Sequence, residues 1–174
     1  MYAHIEAQVG GWWDGVLHPM ESPDHLITML LVGLLGGLAV RANRSSWTLP
    51  TIFALAMAAS GLIGSALDRS FDLDTAMIAL AGVLGVMLFV HPRRTTIVAP
   101  VAVVLSGVLH GLAHSTDIAG LSRPVGYVAG FTFTAGLLLI VGAIVGSTTG
   151  RWMRSRRSSV DHVVPAAVDE GALV

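Results

Sequence analysis

The chain has 174 residues, of which 53% are hydrophobic and only 12% charged, about half the charge of an ordinary soluble domain. It contains no cysteine, which excludes disulfides, zinc–thiolate sites, iron–sulfur clusters and a cysteine nucleophile. A formal net charge of -1 offers no general attraction to nucleic acid, and the one dense basic run lies in the tail.

Residues 1–15 are polar and acidic and lack the basic start of a conventional signal peptide, so they are expected to remain as an extracytoplasmic segment. Five apolar runs follow, at about 16–40, 48–67, 72–90, 96–115 and 125–148. Roughly 20 helical residues cross a ~30 Å hydrocarbon layer, and a helix satisfies its own backbone groups in lipid. The runs are continuous rather than alternating, which argues against a β-barrel. The expected fold is therefore all-α: a polytopic transmembrane helix bundle of about five spans, occupying 16–149. The first span should be kinked, because Pro19 and Pro23 interrupt it. Residues 150–174, rich in arginine, are expected to form a disordered cytoplasmic tail.

All ten basic residues are arginines. Arg41, Arg44, Arg93, Arg94, Arg151, Arg154, Arg156 and Arg157 fall on one side of the alternating spans, and Arg69 and Arg123 on the other. The positive-inside rule then puts the N-terminus outside and the C-terminus in the cytoplasm of a bacterial-type inner membrane. The acids sort oppositely. Glu6, Asp14, Glu21, Asp24, Asp68, Asp72, Asp74 and Asp117 gather toward the external mouth, where they would concentrate cations. The pairs Gly33/Gly37 and Gly142/Gly146 have the small-xxx-small spacing of close helix packing.

Ionisable residues inside a span are costly and usually face a cavity or the bundle interior. Two sets stand out. His18-Pro19-Met20-Glu21-Ser22-Pro23-Asp24-His25 places two histidines seven apart, nearly on one helical face, with carboxylates beside them. His110-Gly111-Leu112-Ala113-His114-Ser115-Thr116-Asp117 places two histidines four apart, with Asp117 continuing that face. Imidazole and carboxylate together suit borderline divalent metals such as nickel, cobalt or zinc. The bland alternatives are a His–Asp helix cap and a hydrogen-bonded packing pair. The alternating topology brings both sets, and Asp74, to the outer halves of their spans. His18, Asp24, His25 and His110 are the leading ligand candidates, with His114, Asp117 and Asp74 joining or orienting them. His4, Glu6 and His91 are weaker candidates for metal collection or exit.

The chain resembles the HupE/UreJ family of small membrane proteins. The family's His-Pro-x-x-Gly-x-Asp-His pattern is matched by His18, Pro19, Asp24 and His25, with Ser22 at the glycine position. Its later His-Gly-x-Ala-His segment is matched by His110, Gly111, Ala113 and His114, followed by Asp117, and its third-span acid by Asp74. Leu112 and Leu139 stand where many members have further histidines. The resemblance implies a secondary permease for Ni2+ or Co2+, with Zn2+ also accommodated by the donor set, and no organic cofactor. The rivals are a non-transporting metal-binding accessory protein and a membrane metalloenzyme, for which no HExxH is present. The partners implied are the lipid bilayer and the metal ion. The sequence leaves any homo-oligomer or metallochaperone open.

Overall fold

The computed structural model describes residues 10–39, 44–67, 73–90, 95–119 and 121–163. They form six helices and no strand: α1 (Trp12–Glu21), α2 (Pro23–Leu38), α3 (Thr48–Leu67), α4 (Asp74–Met87), α5 (Thr95–Ala119) and α6 (Pro124–Val163). Two segments are long and apolar enough to cross a membrane, Val98–Ser115 in α5 and Pro124–Arg156 in α6. α2, α3 and α4 contribute shorter apolar helices. The fold is an all-α membrane bundle.

The first expected span is two helices rather than one kinked helix. Pro23 has no N–H to donate and disfavours a helical conformation at the residue before it. Ser22 accordingly turns extended (φ -104, ψ 104), and Pro23 opens α2 at a position where proline is well tolerated. α2 alone has 16 residues, about 24 Å, short of the hydrocarbon thickness.

Glycines set how closely the helices approach. Gly33 and Gly37 of α2 lie against Gly142 and Gly146 of α6. A Cβ on Gly33 would sit 2.3 Å from the Leu139 carbonyl oxygen, and one on Gly146 2.3 Å from that of Leu34. Backbone thus meets backbone, as the small-xxx-small spacing anticipates. Gly107 and Gly111 bring α5 equally close to α3 at Phe53 and Met57. Gly15 and Gly130 do the same for α1 and α6, and the Thr134 hydroxyl adds a 2.9 Å hydrogen bond to the Val16 carbonyl. α4 packs against α2 and α5. Met29, Val32, Phe53, Leu84 and Val103 fill the interior. Leu62, Ile63, Ile78, Val86, Phe89, Phe133 and Ile144 point outward, as side chains facing lipid do.

One detail adds to the sequence reading and one differs from it. Asp14, grouped there with the acids of the mouth, caps α1: its Oδ2 accepts from the N–H groups of Gly10 (2.8 Å) and Gly11 (3.0 Å). Gly10 has φ +90, a left-handed conformation that suits glycine, and a Cβ there would lie 2.7 Å from Leu121 Cδ2. Residues 150–163, expected to belong to a disordered tail, instead continue α6 without interruption to Val163. Arginine is a good helix former, and Arg156 stacks 4.3 Å over the Trp152 ring one turn below. Residues 164–174 lie outside the described part.

Candidate metal centre

The break at Ser22 is the first element that builds the site. On a straight helix His18 and His25 would be about 10.5 Å apart along the axis, at ~1.5 Å per residue. With the chain bent between them, their ring centroids are 5.2 Å apart, edge to face. Bending is anchored by the Ser22 N–H donating to the His18 carbonyl (3.2 Å) and by the Ser22 carbonyl accepting from His25 and Leu26 (3.1 Å each).

The second element is α5. His110 and His114 share one face, and Gly111, between them, holds α5 against α3: a Cβ there would lie 2.2 Å from the Met57 carbonyl oxygen. This close approach explains why glycine follows the first histidine. Leu112, the next residue, packs toward Gly64 of α3, with its Cδ2 3.2 Å from where a Gly64 Cβ would stand.

Together α1, α2 and α5 gather four imidazoles. His25 lies 4.8 Å from His110 and 4.6 Å from His114 between ring centroids, and His18 lies 4.9 Å from His114. His25, His110 and His114 are 4%, 0% and 8% exposed, so three basic rings are withdrawn from solvent inside an apolar bundle. Such burial is expensive unless the polar atoms find partners.

The nitrogens point inward in a defined way. His110 Nδ1 is 2.8 Å from the Ser106 carbonyl oxygen, which can only accept, so Nδ1 carries the proton. His110 Nε2 is then the lone-pair nitrogen; it is buried and makes no hydrogen bond. His25 Nδ1 is 2.9 Å from Asp24 Oδ2, while its Nε2 faces His114 Nε2 directly. Two triads result, each with its donor atoms within 4.8 Å of one another: His18, His25 and His114, and Asp24, His25 and His110. An ion at ~2.1 Å from each nitrogen needs donors roughly 3–4 Å apart, which small side-chain movements would provide.

Aromatic rings enclose the cluster. Phe131 of α6 lies 5.2 Å from His114 and 5.9 Å from His18, Tyr127 lies 5.7 Å from His18, and Phe53 of α3 lies 5.6 Å from His110. None of these was singled out from the sequence. Tyr127 and Phe131 are four residues apart on one helical face, a spacing that was available but is indistinguishable from ordinary packing.

The remaining sequence candidates fall elsewhere. Asp74 is the exposed first residue of α4 and belongs to neither triad. Glu21 ends α1 and is exposed. The side chain of Asp117, and all of His4, Glu6, Asp72 and His91, lie outside the described residues.

The chain is thus a helical membrane bundle whose interior histidines, with Asp24 beside them, could hold a metal ion. Residues 1–168 match the family model described as HupE / UreJ protein. The chain is also 30% identical over 145 residues to Protein HupE of Rhizobium leguminosarum bv. viciae, covering 81% of this chain and 73% of that protein. It belongs to the HupE/UreJ family. No solved structure matches it.

Proposed function

We propose that the protein is a secondary permease that carries a divalent transition-metal ion, nickel or cobalt, across the cytoplasmic membrane. One observation carries this reading: α1, α2 and α5 bring His18, Asp24, His25, His110 and His114 to one place inside a membrane bundle. Neutral imidazole and carboxylate are the donors that nickel, cobalt and zinc accept, and no thiolate exists to hold the ion irreversibly. The ion is cargo here. The arginine asymmetry supports an outside N-terminus and a cytoplasmic tail, which puts the cluster in the outer half of the bundle.

In this mechanism a hydrated cation exchanges part of its water shell for imidazole nitrogens. Asp24 contributes the negative charge that offsets the cost of bringing a dication into the bundle. Tyr127, Phe131 and Phe53 keep bulk water from the cluster. Movement about the Ser22–Pro23 break, the one irregular backbone beside the cluster among the described residues, then changes which side the ion faces.

The test is uptake of radioactive nickel by cells lacking other nickel importers, with the wild type and with His25→Ala expressed at equal levels. Uptake should fall to background in the variant, and equal uptake would refute the proposal. Metal binding by purified protein without flux in proteoliposomes would assign it an accessory role. Substrate turnover by the metal-loaded protein would make it a membrane metalloenzyme.

A further inference from the structure

His25 is the member common to both triads. Its two ring nitrogens face different groups: Nε2 meets His114 Nε2, and Nδ1 lies 2.9 Å from Asp24 Oδ2. The ring therefore stands as a partition, with His18 and His114 on one side and Asp24 and His110 on the other. A neutral imidazole has one lone pair, because its second nitrogen carries a proton. It can serve a cation on either side, but not on both. Two dications held at the same ring would also repel each other four times as strongly as two unit charges at that separation.

We infer that the cluster is two alternative metal stations, His18–His25–His114 and Asp24–His25–His110, which share His25 and are occupied one at a time, so that the ion passes from one to the other around this ring. This rests on the permease reading above. The stations differ in chemistry. The first offers three neutral nitrogens; the second exchanges one of them for a carboxylate and so compensates part of the ion's charge. The difference gives the ion a reason to move and leaves each station weak enough to release it. His25 belongs to both stations, whereas His114 and His110 each belong to one.

The experiment uses the full chain in lipid nanodiscs with Co2+ as the probe. Bound metal per chain is measured by equilibrium dialysis and elemental analysis, and coordination by the visible d–d spectrum. The wild type should bind one Co2+ per chain at saturation. His110→Ala and His114→Ala should each still bind one, with spectra that differ from each other, and His25→Ala should bind none over the same range. In proteoliposomes all three should lose Co2+ flux. Two ions per wild-type chain, or complete loss of binding in either His110→Ala or His114→Ala while that variant elutes as folded protein, would overturn the two-station scheme. If an alanine variant does not fold, the glutamine variant replaces it, and the wild-type stoichiometry decides independently. A wild type that binds one ion but carries none defeats the permease reading while leaving the station count intact. A wild type that binds no Co2+ defeats both.

Discussion

His25 and His114 stand 89 residues apart in the chain and face each other through their Nε2 atoms. Two ring nitrogens that face each other in an apolar interior are satisfied when a proton or a cation sits between them. The Ser106 carbonyl behind His110 orients that ring, as outer partners do around metal-binding histidines, and Asp24 stands on the far side of His25. The relationship has consequences that reach from the metal to the backbone.

Binding must compete with protons. Each ligating imidazole has to be neutral, so metal binding releases protons and lowering the pH opposes it. Because either station uses at least two histidines, apparent Co2+ affinity should fall more steeply than tenfold per pH unit once the rings protonate. Titrations carried from pH 8 down until the buried rings protonate measure this, and a profile that stays flat throughout would mean that the histidines are not the ligands.

Pro23 should matter through geometry rather than contact. Pro23→Ala permits Ser22 to become helical and lets α1 and α2 approach one continuous helix, in which His18 and His25 separate along the axis. Co2+ affinity should drop by about tenfold or more, the range seen when a ligand's support is removed. The helical content should stay the same or rise slightly by circular dichroism. Unchanged affinity would show that the break is not what joins the two rings.

The glycine seam between α2 and α6 should be the most sensitive packing feature away from the metal. Gly142→Val places a side chain where even a Cβ would be 2.5 Å from the Leu30 carbonyl oxygen. Overpacking of this kind costs about 1–3 kcal/mol or more, and the thermal midpoint in detergent should fall accordingly. Gly136→Ala is the matched control, since nothing lies within 4 Å of that position, and it should leave the midpoint unchanged or raise it slightly.

Asp14 separates capping from cation attraction. Asp14→Ala removes the acceptor for Gly10 and Gly11 and should cost about 0.5–2 kcal/mol of stability, by analogy with lost helix caps. Nickel uptake at low external concentration should be unaffected per folded molecule. A selective loss of uptake at low nickel would restore Asp14 to the acidic mouth.

Much of the fold was legible beforehand because membranes constrain sequence strongly. A continuous apolar run that must satisfy its own backbone hydrogen bonds becomes a helix, and Pro23 breaks the first one, whereas Pro19, also expected to interrupt it, lies inside α1 and Pro100 inside α5. The two histidine pairs were legible for a related reason: spacings of seven and four residues map onto single helical faces, and ionisable groups in lipid turn inward. Aromatic neighbours were not. Phe131 is 8% exposed beside the cluster, and Phe133, two residues on, is 52% exposed. Their local sequence gives no sign of which one turns toward histidine, because on an apolar helix both faces are apolar.

Asp74 shows the same limit from the other side. Its placement at the start of a span set its approximate depth, and depth alone suggested a shared site with the histidines. Helix rotation and lateral position are decided by which neighbours pack together, and α4 presents Asp74 as an exposed residue outside both triads. The one-dimensional pattern was enough to define helices, their faces and the donor types they carry. Pro23 marked the break between α1 and α2 in the sequence, but only the packed bundle decided that α5 lies close enough for His114 to meet His25, and which ring nitrogens of His25 and His110 face the cluster. Those outcomes depend on glycine-mediated contacts between helices distant in the chain, and no local periodicity encodes them.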